Sequence, residues 1–148
     1  YCGLFLTQNF GPRQRFQLII TDAEIEPDPV DKRNVCDLCM ECVKICPLEA
    51  ISKSGKTIEI CGKKMKIADV DYEKCSKCKN GVLPDMYYEK AKPDRIAALC
   101  ARTCLVHLEK HKRINNLFEI GFRQRNVWKI DKHGEIIGQK NENFKSKN

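Results

Sequence analysis

Cys36-Asp37-Leu38-Cys39-Met40-Glu41-Cys42-Val43-Lys44-Ile45-Cys46-Pro47 is the stretch on which the reading of this chain turns. Its cysteines follow CxxCxxCxxxCP without deviation. Three thiolates at that spacing in a tight loop can all point at one iron–sulfur cube. The fourth lies on the helix that follows and cannot turn back to the same cube, and Pro47 stops or redirects that helix. Cys46 is therefore offered to a different cluster. The ordinary reading of ten cysteines in 148 residues is a disulfide framework. The unbroken four-cysteine run argues against it, and also against zinc, whose sites usually pair two separate CxxC units.

A second set must exist to use Cys46. Cys75-Ser76-Lys77-Cys78 supplies a CxxC pair, and Cys100-Ala101-Arg102-Thr103-Cys104 a CxxxC pair. The first run resembles the ligand loop of bacterial-type 2[4Fe–4S] ferredoxins, in which the second motif repeats the first. Here the stretch from Lys79 to Leu99, with Gly81, Pro84 and Pro93, reads as an inserted loop, and the second motif ends Cys104-Leu105 rather than Cys-Pro. A loop of this size closes at modest entropic cost. The resemblance implies crossed ligation. Cluster one takes Cys36, Cys39, Cys42 and Cys104, and cluster two takes Cys46, Cys75, Cys78 and Cys100. Cys61 in place of Cys100 or Cys104 is the competing assignment. Cys61 sits in Thr57-Ile58-Glu59-Ile60-Cys61-Gly62-Lys63-Lys64-Met65-Lys66-Ile67, which reads as a β-hairpin turning around Gly62-Lys63. There it is expected to be a half-buried strand cysteine that behaves as a small apolar residue. Cys2 is expected to be a packing residue.

Outward from the cysteines, three segments are expected: a lead segment 1–30, a cluster domain 31–110 and a basic tail 111–148. The fold class predicted is α+β, a ferredoxin-like double-cluster domain with a β lead segment. Phe16-Gln17-Leu18-Ile19-Ile20 reads as a strand, and Glu24 to Pro29 as an extended, proline-broken linker. Arg95 to Leu108 has helix-compatible apolar spacing, which places Cys100 and Cys104, four apart, on one helical face. Asn126 to Gly138 alternates around His133-Gly134 and suggests a second hairpin, while Gln139 to Asn148 is polar and expected to fray. A histidine can replace cysteine at some iron–sulfur sites. With eight cysteines already assigned, His107, His111 and His133 are read as surface or helix residues. The chain opens on Tyr1 rather than Met and lacks a signal-peptide pattern. A longer N-terminal part is therefore expected upstream.

Composition narrows the class. With 42% hydrophobic and 32% charged residues the chain is a soluble folding sequence, and it contains no apolar run of membrane-spanning length. The net charge is +7, from 27 Lys and Arg against 20 Asp and Glu. The lysines are scattered with few aromatics between them, so nucleic-acid binding, which wants stacking platforms, is disfavoured. Lys44, Lys53, Lys74, Lys77 and Lys79 lie near ligand cysteines. There they either favour reduced clusters and attract an acidic redox partner such as ferredoxin or flavodoxin, or form an ordinary solvated face.

A second resemblance rests on the lead segment. Gly3-Leu4-Phe5-Leu6-Thr7-Gln8-Asn9-Phe10-Gly11-Pro12-Arg13-Gln14-Arg15-Phe16, followed by Ile19-Ile20-Thr21-Asp22-Ala23-Glu24-Ile25-Glu26-Pro27-Asp28, is similar to the segment that precedes the clusters in epoxyqueuosine reductases and reductive dehalogenases. In that family a cobalamin-binding, nitroreductase-like domain comes first. The resemblance implies that the clusters feed electrons to a corrinoid held upstream, in a cytoplasmic protein of an anaerobe. It transfers no catalytic residue. Arg13 and Asp22 are the best-placed polar candidates, against a simpler role in strand-end capping. The expected function is one-electron transfer through two [4Fe–4S] clusters. The alternatives are a free-standing ferredoxin-like carrier and a nucleic-acid-binding protein with structural clusters.

Overall fold

A computed structural model describes residues 1–88 and 91–116, and the backbone of residues 129–130 and 136–137. The elements in chain order are α1 (Glu41–Lys44), β1 (Ile51–Ile60), β2 (Lys63–Val70), α2 (Tyr72–Ser76), α3 (Leu99–Lys110), β3 (Lys129–Ile130) and β4 (Ile136–Ile137). Helices and antiparallel hairpins thus make up the described structure. Among the described residues no helix is long and apolar enough to cross a membrane.

The loop 36–40 enters α1 through two left-handed residues, Leu38 (φ 61°) and Met40 (φ 63°), on either side of Cys39. Side chains other than glycine avoid this region at a cost of about 1–3 kcal/mol each. The strain winds the loop tightly enough to turn successive cysteines inward. α2 starts at Asp71, whose carboxylate accepts from the Lys74 amide (2.9 Å), a side-chain N-cap.

β1 and β2 pair antiparallel from Ile60↔Lys63 down to Ile51↔Val70, with an irregularity between Ile51 and Gly55. The two turn residues are Cys61 and Gly62, both at positive φ (49° and 74°), the backbone of a type I′ turn whose twist matches the strands. The turn therefore lies one residue earlier than the alternation suggested. Cys61 is an exposed turn residue and not a half-buried strand residue. The hairpin is packed at its base, and at its tip Lys63 Nζ donates to the carbonyls of Asp31 (2.8 Å) and Arg33 (2.7 Å). Ile51 and Ala68 are buried at the base, the Ala68 amide donates to the Tyr1 carbonyl (2.8 Å), and the Tyr1 hydroxyl reaches the Lys53 carbonyl (2.8 Å).

Two apolar clusters form the core. One joins Tyr1, Cys2, Cys42, Val43, Ile51, Ala68, Ala98 and Cys100; the other joins Leu105, Leu108 and Ile114. α3 contributes to both, since Leu99, Cys100, Ala101, Leu105 and Leu108 fall on its buried face. It begins four residues later than predicted: Arg95 to Ala98 form a turn, with the Asp94 carboxylate accepting from the Ile96 amide (3.0 Å) and the Ala98 amide donating to the Arg95 carbonyl (3.0 Å). The inserted loop is closed at its neck by paired Leu83 and Asp94.

The lead segment departs most from expectation. Phe16 to Ile20 forms no strand pairing, and Leu18, Ile19 and Ile20 are 93%, 85% and 99% exposed. A strand needs a neighbour for its backbone N–H and C=O groups, and the described residues offer it none. The pairing that does form in this segment is the bridge Thr7↔Gly11. In the tail, Lys129↔Ile137 and Ile130↔Ile136 pair antiparallel, as the predicted hairpin requires. His133, Gly134 and the end 139–148 lie outside the described residues.

Candidate metal centres

The cysteines gather around two recesses. The first, about 400 Å³ to its open mouth, is lined by Cys36, Cys39, Cys42 and Cys104, together with Cys2, Asp37 and His107. The second, about 330 Å³, is lined by Cys46, Cys75, Cys78 and Cys100, with Arg95. α1 separates the contributions of the first motif, so that Cys42 faces one recess and Cys46 the other. α3 does the same for the second motif. Cys100 and Cys104, one turn apart, reach the second and the first recess respectively. Cys61 lines neither.

The spacing of these thiols bears on what they can hold. A tetrahedral zinc with bonds of about 2.3 Å brings its sulfurs to about 3.8 Å of one another. Among the described residues, the group with three ligand atoms mutually within 4.8 Å is Asp37, Cys39 and His107, and no trio of cysteines meets that limit. Among the described residues, the four thiols of neither recess close on a single ion.

Burial pushes the thiols of Cys100 and Cys104 up to about 12, and raises Cys39, Cys75 and Cys78 as well. Such groups ionise only for a cation that replaces the proton. Cys42 and Cys2 share a hydrogen bond, which holds Cys2 down to about 6 and pushes Cys42 up. Cys2 is thus no inert packing residue, but a buried thiol in contact with a candidate ligand. Its spacing gave no sign of this, because the contact is made across the fold.

Polar residues close the first recess. The His107 Nε2 and Asp37 Oδ2 lie 2.8 Å apart, and the Cys39 amide donates to Asp37 Oδ1 (3.3 Å). Burial would raise the Asp37 carboxyl, but His107 and Arg113 beside it hold it below its ordinary value. Arg113 donates to the carbonyls of Val35 and Asn34 (both 2.9 Å). His107 is therefore not a plain surface residue: it lines the recess and ties α3 to the ligand loop. His111 is exposed and stacks against it, with ring centroids 4.3 Å apart.

Arg13 bridges the lead segment to the end of α3, through Glu109 (3.4 Å) and the Asn116 carbonyl (2.7 Å). This is a tethering role, and Asp22 is exposed. Of the lysines near ligands, Lys44, Lys74 and Lys77 pair with Glu41, Asp71 and Glu73 on or beside their own helices (2.7, 3.6 and 2.9 Å). These acids offset the charge of three of the five lysines.

No protein-family model matches this chain, and no solved structure does. Among curated proteins, the tetrachloroethene reductive dehalogenase of Desulfitobacterium hafniense is 47% identical over 53 residues, 34% of this chain and 10% of that protein. The protein of the same name from Dehalobacter restrictus matches to the same extent. The one from Sulfurospirillum multivorans is 33% identical over 60 residues, 38% of this chain and 12% of that protein. The chain spans about a tenth of the length of these relatives.

Proposed function

We propose that this chain is the two-cluster electron-transfer part of a reductase-like protein. Cys36, Cys39, Cys42 and Cys104 hold one [4Fe–4S] cluster, and Cys46, Cys75, Cys78 and Cys100 hold the other. A [4Fe–4S] cluster bound there would supply one-electron redox chemistry. The cysteines supply the thiolates, the left-handed loop aims them, and the apolar walls around them limit water. The observation that carries the reading is the interlock of the two recesses, each taking three cysteines from one half of the chain and one from the other.

The electrons pass to a corrinoid or another redox centre in a part of the protein upstream. Two features support this over a free-standing carrier. The chain is similar to proteins named for a reductive dehalogenation. In addition, Leu18, Ile19 and Ile20 expose an apolar strand-forming run with no partner among the described residues, as expected of a segment that completes a neighbouring body. The donor is a low-potential one-electron protein of the ferredoxin or flavodoxin class.

The test is EPR spectroscopy of anaerobically purified, chemically reduced protein. Two reduced cubes in neighbouring recesses are expected to give magnetically interacting signals. A single non-interacting signal contradicts the pairing, and an EPR-silent, iron-free protein contradicts the reading altogether.

A further inference from the structure

Among the described residues Arg95 is the one Lys or Arg side chain that lines either recess. Its side chain is 6% exposed, and it sits in the wall of the second recess with Cys46, Cys75, Cys78 and Cys100. One end of the guanidinium is fixed: Nη2 donates to the Cys2 carbonyl (3.0 Å), and the group lies over the Tyr72 ring, 5.6 Å from its centroid. The other end is not. Nη1 is fully buried and has no hydrogen-bond partner among the described residues. Its neighbour Asp94 is engaged with Arg15 (2.6 Å). A buried guanidinium with an orphaned N–H is costly unless an anion meets it. The guanidinium stands close enough to Cys75 and Cys100 for its charge to act on both sulfurs. The first recess is walled differently: it has no Lys or Arg side chain, and its Asp37 is paired with His107 (2.8 Å) and lies beside Arg113 (3.8 Å).

We propose that Arg95 is the charge-compensating cation of the second cluster, and that it makes this cluster the one that holds the electron when the pair is singly reduced. The inference rests on the two-cluster reading above. Accepting one electron from a low-potential one-electron donor adds one negative charge to a cluster and its four thiolates. No bond forms or breaks. Beside Arg95 that added charge is stabilised, whereas at the first recess the charges of Asp37, His107 and Arg113 offset one another, so the two midpoints separate with the second cluster higher. Arg95 acts here as a tuning residue and ligates nothing.

The experiment is an anaerobic EPR-monitored redox titration of the wild type, Arg95→Gln and Arg95→Lys, with iron measured on each sample. The wild type is expected to titrate in two separate steps. In Arg95→Gln the higher midpoint falls toward the lower one while the iron content stays at the wild-type value, and Arg95→Lys restores much of the separation. Two unmoved midpoints in Arg95→Gln overturn the proposal, as does movement of the lower step alone. If Arg95→Gln cannot keep its iron, Arg95→Lys decides. Retention of iron and of two separated steps supports the charge role, and loss of iron there too shows a purely structural one. Wild-type protein without two clusters sinks the underlying reading instead, a result recognisable before any variant is made.

Discussion

At Gly81 the chain leaves Asn80 at φ 82° and passes so close to the inserted loop's far end that a Cβ there would strike the Ala97 carbonyl. Gly81→Ala therefore costs about 3 kcal/mol or more, from strain and clash together, and shows as a lowered urea midpoint. Among the cysteines, Cys42→Ser is expected to lose about half the bound iron and Cys61→Ser none, measured by iron analysis. Equal losses in both would return Cys61 to the ligand set. Much of this scale was legible in advance. The first motif is a local pattern, and spacing alone aimed Cys36, Cys39 and Cys42 one way and Cys46 the other. Cys2 and Arg95 were not legible. The contact between them spans 93 positions, and no local rule brings such residues together.

At the scale of elements, α3 is the hinge of the site. Its faces deliver Cys100, Cys104 and His107, and Arg113 just beyond its end grips the loop before Cys36. His107→Ala removes the exposed bond to Asp37 at a cost of about 1 kcal/mol. The expected result is faster iron release to a chelator in one phase, corresponding to half the iron, with the other phase unchanged. Uniform release would show that His107 does not act on the first recess. The helix was readable from its apolar spacing, although its start was not, because the turn at Asp94 competes for the first residues. The strand at Phe16 to Ile20 was misread for a different reason. Composition reports the propensity to pair, while pairing needs a neighbour. Since Ile20 is 99% exposed, Ile20→Ser is expected to change the stability of this chain by less than about 0.5 kcal/mol in a thermal melt. A large loss would mean that the segment packs within the chain after all.

At the scale of the whole molecule, the core is thin. Among the described residues the buried apolar set has fifteen members, of which four are cysteine and four alanine. So little aliphatic volume leaves a chain of this size short of hydrophobic stabilisation. Cys42, Cys75 and Cys100 line the recesses and are themselves core residues, so filling the recesses adds to the core. Removing iron with a chelator under anaerobic conditions is accordingly expected to abolish the near-UV circular dichroism and broaden the thermal transition. An iron-free protein with an unchanged sharp melt would contradict this link between cofactor and fold. The central claim, however, is the number and kind of centres, and the most direct test of it is iron and acid-labile sulfide analysis of anaerobically reconstituted protein. The account predicts about eight irons and about eight sulfides per chain; about four of each, or metal without sulfide, would contradict it.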